Sequence, residues 1–195
     1  MIGELPTALL IAGQSFPIRT DFRVILRIYA AWNDPELTPE EKCTVCLLNL
    51  FEHPEQITAE NAQEAVREAY WFCAGGQDTP EDEPPARLFD WEQDERILFP
   101  AVNKAAGYET RSVPYLHWWA FLGLMGEIGD GLFSTVLHIR RKRIEGKALD
   151  KWEAEFERKN KKLIALHSRE ELAEIEETED FLKTLIYCPG GECYD

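Results

Sequence analysis

Two cysteines, Cys43 and Cys46, have the spacing of metal ligands, and His53 follows a short distance along the chain. A structural zinc site needs four such ligands, and no second Cys-x-x-Cys pair occurs. On a helix, both thiols would lie on the apolar face that also carries Leu47 and Leu50. Since free cysteines commonly pack as small apolar side chains, we predict buried thiols here and no metal site.

The histidines are the next candidates for chemistry. His117 lies between Leu116 and Trp118, but no serine or cysteine nucleophile is identifiable near it. A histidine bonded in or beside the core is therefore the favoured interpretation, and His138 is similar. Acidic runs are typical of solvated charge, and neither Gly-x-x-x-x-Gly-Lys-Ser/Thr nor Gly-x-Gly-x-x-Gly occurs. We predict no catalytic residues, no cofactor and no enzymatic activity.

Composition limits the classes of function. The chain has 195 residues, of which 36 are acidic and 21 are Lys or Arg, and its net charge is -15. Nucleic-acid phosphates repel such a surface, whereas a basic protein partner would be attracted. No apolar run approaches the roughly 20 residues that a membrane span needs. Residues 1–10 contain Glu4 and no basic residue, so we predict no secretory signal and no membrane association.

The remaining cysteines favour a reducing compartment. Cys188 and Cys193 could bind a metal or pair with each other, but the terminal loop predicted around them supplies no other ligand. Five scattered cysteines argue against a disulfide framework. A cytoplasmic setting follows from this pattern.

The elements that hold these residues are predicted to be mainly α-helical. We expect a single helical domain with a short N-terminal β-hairpin and an exposed acidic, Pro-rich loop. The predicted units are a hairpin over 1–19, a helical core domain over 20–166 with a flexible loop at 76–86, and an acidic helix with a cysteine-containing tail over 167–195.

Capping residues locate the helix starts. Thr38 begins a capping box with Glu41, with a proline between them. Pro100 should kink or end its helix. The predicted helices begin at Thr20 or Asp21, Thr38, Thr58, Asp90, about Val113, Leu132, Asp150 and Ser168. The helix from Thr58 should end at Cys73, the one from Val113 near Met125 and the one from Leu132 at Glu145, and the helix from Asp150 should continue through the lysines 159, 161 and 162. In the helix from Leu132, the residues expected to face inward are Phe133, Val136, Leu137 and Ile144.

Two stretches have more than one interpretation. Residues 115–121, Tyr-Leu-His-Trp-Trp-Ala-Phe, form a helix that is apolar over most of its circumference. Such a helix fills the chain's own core or lines a groove for a partner helix. The basic run 140–143 could bind nucleic acid, or it could pair with the acidic linker or with the acidic helix near residues 170–180.

The order of several motifs resembles a known phage family. Phe16-Pro17-Ile18-Arg19-Thr20-Asp21-Phe22-Arg23 follows the hairpin, and Trp71-Phe72-Cys73-Ala74-Gly75-Gly76, Phe89-Asp90-Trp91-Glu92-Gln93-Asp94 and the 115–121 stretch come later. This order is similar to the bacteriophage gene-product-fifteen family of long-tailed phages and prophages of Gram-positive bacteria. The similarity covers about residues 5–166, and 115–121 is its most specific piece. Two departures are the glycine-rich segment after 121 and the extension beyond 166.

The resemblance implies a tail assembly chaperone that binds the tape-measure protein in the cytoplasm of the bacterial host, with the tail tube protein and self-association as further candidate interactions. The family has no known catalytic residues, so the resemblance assigns none to this chain. Our expected partner-binding residues are Tyr115, Trp118, Trp119, Phe121, Met125, Arg140, Arg141 and Arg143. The alternatives are a structural tail or connector component retained in the virion, and a nucleic-acid-binding regulator that uses the basic 140–143 cluster.

Overall fold

The computed structural model describes residues 3–77, 87–167 and 171. Most of the acidic Pro-rich loop, the predicted helix from Ser168, Cys188 and Cys193 lie outside these residues, apart from Glu171. Within the described residues the fold is mainly helical with one short antiparallel hairpin, which confirms the predicted fold class. The elements are β1 (Ala8–Ile11), β2 (Gln14–Pro17), α1 (Phe22–Trp32), α2 (Pro39–Leu50), α3 (Ala62–Cys73), α4 (Glu95–Ala106), α5 (Trp118–Gly126), α6 (Leu132–Ile144), α7 (Lys151–Lys159) and α8 (Lys161–Ile164).

The hairpin adds apolar side chains to the helical core. Its two-residue turn, Ala12-Gly13, has positive φ at both positions (49° and 77°), as a type I′ turn requires. Leu9 and Ile11 are buried, whereas Leu10 between them is 63% exposed, because successive strand residues point to opposite faces. β1 packs on α3, which supplies the support that two strands lack alone.

Several predicted helix boundaries are confirmed by their caps. The Asp21 carboxylate accepts from the Arg23 N–H and starts α1. Thr38 and Glu41 form the expected capping box of α2, and Asp150 forms a second one at α7. Gly107 ends α4 in the left-handed conformation with φ of 77°.

Three helix starts were predicted too early, and for two of them the reason is that polar residues that can cap a helix also form turns. α3 begins at Ala62, since Thr58 opens a turn in which its N–H donates to the Asn61 side chain. α4 begins at Glu95, because the Asp90 side chain caps a preceding turn through the N–H groups of Glu92 and Gln93.

The aromatic helix is the third of these, and it begins at Trp118 instead of Val113. Residues 113–117 are not helical, and Val113, which precedes Pro114, has extended backbone angles, as such a residue tends to have. Their backbone pairs with the start of α1: the Phe22 N–H donates to the Leu116 carbonyl at 3.0 Å, and the Trp118 N–H donates to the Thr20 carbonyl at 2.7 Å. Tertiary hydrogen bonds therefore replace the predicted first helical turn.

Two more expectations were wrong, and a third was wrong in part. Of the two effects expected of Pro100, it does not end α4, which continues to Ala106 with buried Leu98 and Val102 on either side of the proline. Ile144 lies at the end of α6 and is 54% exposed instead of inward. The helix from Asp150 does not run on through the lysines, because Asn160 leaves helical geometry between α7 and α8.

The core is one cluster of buried side chains drawn from the hairpin and helices. At its centre the rings of Phe22 and Phe121 stack at a centroid distance of 4.6 Å, which joins α1 to α5. Cys46 and Cys73 are buried free thiols. A hydrogen bond with Cys46, together with burial, raises the pKa of the Cys73 thiol, so it remains protonated. No described helix is long and apolar enough to cross a bilayer.

Candidate partner-binding surface

The aromatic stretch is divided between core and surface. Trp118 and Phe121 have no exposed surface, so both fill the chain's own core. The Trp118 indole donates to the Cys73 carbonyl at 2.8 Å, and the Trp119 indole donates to the Phe72 carbonyl at 2.9 Å. The same two carbonyls at the end of α3 have a second donor each, since the Cys73 carbonyl accepts from the Tyr29 hydroxyl at 3.2 Å and the Phe72 carbonyl accepts from the Gly75 N–H at 3.1 Å. Trp118 and Trp119 therefore fasten α5 to α3.

His117 also has a structural position. It is buried, its Nδ1 accepts from the Trp119 N–H at 3.0 Å, and its Nε2 lies 2.9 Å from the Pro6 carbonyl. The imidazole thus caps α5 and connects it to the segment before β1. Among the described residues, no group of three His, Cys, Asp or Glu could hold a metal ion.

Tyr115 lies on the surface, with 55% of its area exposed. Its hydroxyl is 2.7 Å from the Thr20 hydroxyl, so the ring is held at one end and open to solvent at the other. A restrained aromatic ring loses little conformational entropy when a partner covers it. Tyr115 is the exposed member of the aromatic stretch that the sequence pattern identified.

The basic run 140–143 is mostly neutralised within the chain. Arg140 is 5% exposed and forms a two-point ion pair with Asp94. The Lys142 ammonium donates to both carboxylate oxygens of Glu153 at 2.7 Å, and Arg143 pairs with Glu157. The pairing is intramolecular, as one of the two interpretations expected, but its carboxylates come from Asp94, directly before α4, and from Glu153 and Glu157 of α7.

These pairs shift the pKa values of their carboxylates. The hydrogen bond from Lys142, helped by one from the Asp150 N–H, lowers the pKa of Glu153. The hydrogen bond from Arg143 lowers the pKa of Glu157. Both glutamates are therefore ionised at neutral pH, and they hold α7 against α6.

Arg141 differs from its neighbours. It is exposed, and it makes no salt bridge in the part of the chain that the structure describes. It lies on the rim of a depression of about 280 Å³ between the end of α5 and the outer face of α6, which we call the α5–α6 groove. The groove is lined by Met125, Ile128, Phe133, Ser134, Leu137, His138 and Arg141.

The groove is lined by a mixture of apolar and polar side chains, and we call its apolar side chains the floor and its polar side chains the rim. Met125, Ile128 and Leu137 are partly buried and leave apolar surface accessible. The His138 Nε2 lies 2.9 Å from a Glu153 oxygen, which fixes the imidazole on the rim beside Arg141. A floor of this kind with a cationic rim suits an amphipathic helix that carries carboxylates beside its apolar stripe.

The groove contains two of the expected partner-binding residues, Met125 and Arg141. The sequence analysis missed Ile128 and His138 as lining residues. A signal for His138 was present, since it precedes Arg141 by three positions on one helix and shares a face with it. Ile128 gave no such signal, because it lies after the end of α5 in the turn that leads to α6.

Comparison with known proteins identifies one family match. A protein-family model described as Bacteriophage Gp15 protein matches residues 1–166. No curated protein and no solved structure matches the chain. The matched range includes every residue of the α5–α6 groove.

Proposed function

The chain belongs to the bacteriophage Gp15 protein family, and on that basis we propose that it is a non-enzymatic tail assembly chaperone that binds the tape-measure protein. Tape-measure proteins are long, apolar and helical, so they need a partner that covers apolar helical surface before the tail forms. In this proposal the chain acts in the host cytoplasm and leaves as the tube closes around its client.

The observation that carries the proposal is the α5–α6 groove on a strongly acidic molecule. The groove offers apolar side chains on its floor and Arg141 on its rim. Helix-in-groove recognition needs such a floor, and the rim guanidinium provides a contact for carboxylates beside the apolar stripe. The net charge of -15 would keep the complex dispersed by mutual repulsion.

The basic 140–143 cluster does not favour the nucleic-acid alternative. Three of its four cations already pair with Asp94, Glu153 and Glu157. Phosphate binding would have to break these pairs, and removing one partner of the buried Arg140 pair would be costly. A partner protein that uses Arg141 and the groove floor leaves all three pairs intact.

Co-expression with the tape-measure protein of the same phage or prophage genome tests the proposal. We expect the soluble fraction of the tape-measure protein to rise and the two chains to copurify. Unchanged solubility together with no copurification would reject the chaperone function. Mass spectrometry of purified particles then separates a chaperone, which should be absent or scarce, from a structural tail component, which should be stoichiometric with the tail.

A further inference from the structure

The N-terminal hairpin leaves one strand edge open. In an antiparallel pair, successive residues direct their backbone N–H and C=O groups alternately toward the partner strand and away from it. Pro17, which has no N–H, lies opposite Ala8, and its carbonyl accepts from the Glu52 N–H at 3.1 Å on the far side of β2. The next N–H, that of Ile18, donates to the Thr7 carbonyl at 3.0 Å. Ala8 and Pro17 are therefore not hydrogen-bonded to each other, and their backbone groups face away from the hairpin.

Two residues of β1 consequently present open backbone groups. Leu10 lies opposite Ser15, two positions along from Ala8, so its N–H and C=O also point away from β2. Within the part of the chain that the structure describes, no hydrogen bond joins these groups to a residue outside the hairpin. The Pro6 carbonyl, two residues before Ala8, is already bonded to the His117 imidazole. The open edge of β1 thus consists of two N–H and two C=O groups, those of Ala8 and Leu10.

This edge lacks most of the protection that natural sheets use. Exposed edges are usually blunted by charged side chains, by prolines or by bulges, because an open edge binds other strands. The strand Ala8–Ile11 contains none of these, and only its length of four residues limits pairing. On its outer face Leu10 is 63% exposed, and Leu5, just before the strand, is 47% exposed. Backbone and side chains together indicate a site for another strand.

The charge distribution favours a second copy of the chain as the source of that strand. Residues 5–18 contain no Asp, Glu, Lys, Arg or His, although charged residues make up 29% of the chain. Two copies that each carry a net charge of -15 repel each other at long range. At this edge, contact between two copies would bring no like charges together.

We propose that β1 pairs antiparallel with β1 of a second copy, which joins the two hairpins into one four-stranded sheet. A two-fold axis at Leu9 places Ala8 of each copy opposite Leu10 of the other. All four open backbone groups of each copy then have partners, and the two exposed Leu10 side chains become diagonal neighbours about 7–8 Å apart. A shift of one residue would instead oppose the open groups with those of Ile11, which point into the hairpin. This inference does not rest on the chaperone function.

Sedimentation equilibrium of the full-length chain, from micromolar to hundreds of micromolar, measures the association. Leu10→Pro removes the outward N–H without removing a hydrogen bond of the hairpin. Ser15→Pro is the matched control, because it makes the same change at the opposite residue, on the other edge of the hairpin. Leu10→Lys is a second variant that keeps the N–H and adds a charge to the edge. Thermal unfolding of each variant establishes that it is folded.

We expect the parent chain to dimerise, and more tightly as salt rises from about 0.05 to 0.5 M, because salt screens the repulsion between copies. Leu10→Pro and Leu10→Lys should each raise the dimer dissociation constant at least about tenfold, and Ser15→Pro should leave it unchanged. A parent chain that stays monomeric at every concentration would overturn the proposal. Equal effects of the two proline substitutions, or association that weakens in salt, would also overturn it, since the contact would then lie elsewhere.

Discussion

Arg140 and Asp94 form a two-point ion pair inside the helical core. Arg140 Nη1 lies 2.6 Å from one Asp94 oxygen, and Nη2 lies 2.9 Å from the other. The same guanidinium donates to the carbonyls of Leu88, Leu163 and Ile164, so it fixes α6, α8 and the segment before α4 together. Such a pair is stabilising only while every donor and acceptor stays matched.

Arg140→Met should therefore destabilise the chain strongly. The substitution keeps an unbranched side chain but leaves the Asp94 carboxylate buried at 2% exposure without its guanidinium. We expect a loss of about 3–5 kcal/mol in the free energy of unfolding, measured by urea denaturation. Arg141→Met, one residue on and exposed, should change it by less than about 0.5 kcal/mol. Equal effects of the two substitutions would refute the structural role of Arg140.

Gly76 should resist substitution because of Trp119. A Cβ at Gly76 would lie 2.7 Å from the Trp119 ring, and the backbone φ is +81°. Gly107 has a similar φ of +77° with open space around it, so Gly107→Ala isolates the backbone strain. We expect Gly107→Ala to lower the free energy of unfolding by about 1–2 kcal/mol. Gly76→Ala should lower it by roughly 1–3 kcal/mol more, because of the steric clash with Trp119. Thermal unfolding of both variants measures this difference. Equal losses of stability in the two variants would show that the Trp119 ring moves away from the added Cβ without cost.

Acid should remove a contribution that Glu109 makes to stability. The hydrogen bond from Arg111, with others from Asn103 and the Arg111 N–H, lowers the pKa of Glu109 from 4.5 to about 2. A depressed folded-state pKa means that the contribution is complete above about pH 4.5 and is lost as the pH falls toward 2. Glu109→Gln should therefore be less stable than the parent chain at pH 7, and the gap should narrow between pH 4.5 and 2. Urea titrations at stepped pH measure this gap, and a gap that widens on acidification would contradict the assignment.

Local signals were enough to predict much of the fold. The Thr38–Glu41 and Asp150–Glu153 capping boxes and the apolar spacing within α1 depend on residues a few positions apart, so the sequence alone locates them. The start of α4 has a local cause, the turn that the Asp90 side chain caps. The start of α5 depends on distant partners, because Leu116 and Trp118 pair through their backbones with Phe22 and Thr20 across more than 90 positions of sequence.

The site was less predictable than the fold for the same reason. Arg140 was grouped with three neighbouring cations, but successive helix positions are 100° apart and face different surroundings. Arg140 follows Val136 by four positions and Phe133 by seven, and this spacing places it on the buried face of α6. The spacing could have identified Arg140 as a buried residue. Its partner, Asp94, is 46 positions away and could not be identified from local pattern.

The most direct test of the proposed function is the amount of tape-measure protein that copurifies with groove variants after co-expression. Met125→Asp places a charge on the floor of the α5–α6 groove. Leu48→Asp is the matched control, since Leu48 is 56% exposed on α2 and does not line the groove. Thermal unfolding of both purified variants establishes that they are folded.

We predict that the parent chain and Leu48→Asp retain equal amounts of tape-measure protein, and that Met125→Asp retains at least about tenfold less, equivalent to about 1.4 kcal/mol of binding free energy. Arg141→Glu should lower the yield in the same direction. Equal retention by Met125→Asp and Leu48→Asp would contradict the groove as the binding surface, and no retention by the parent chain would contradict the chaperone function itself.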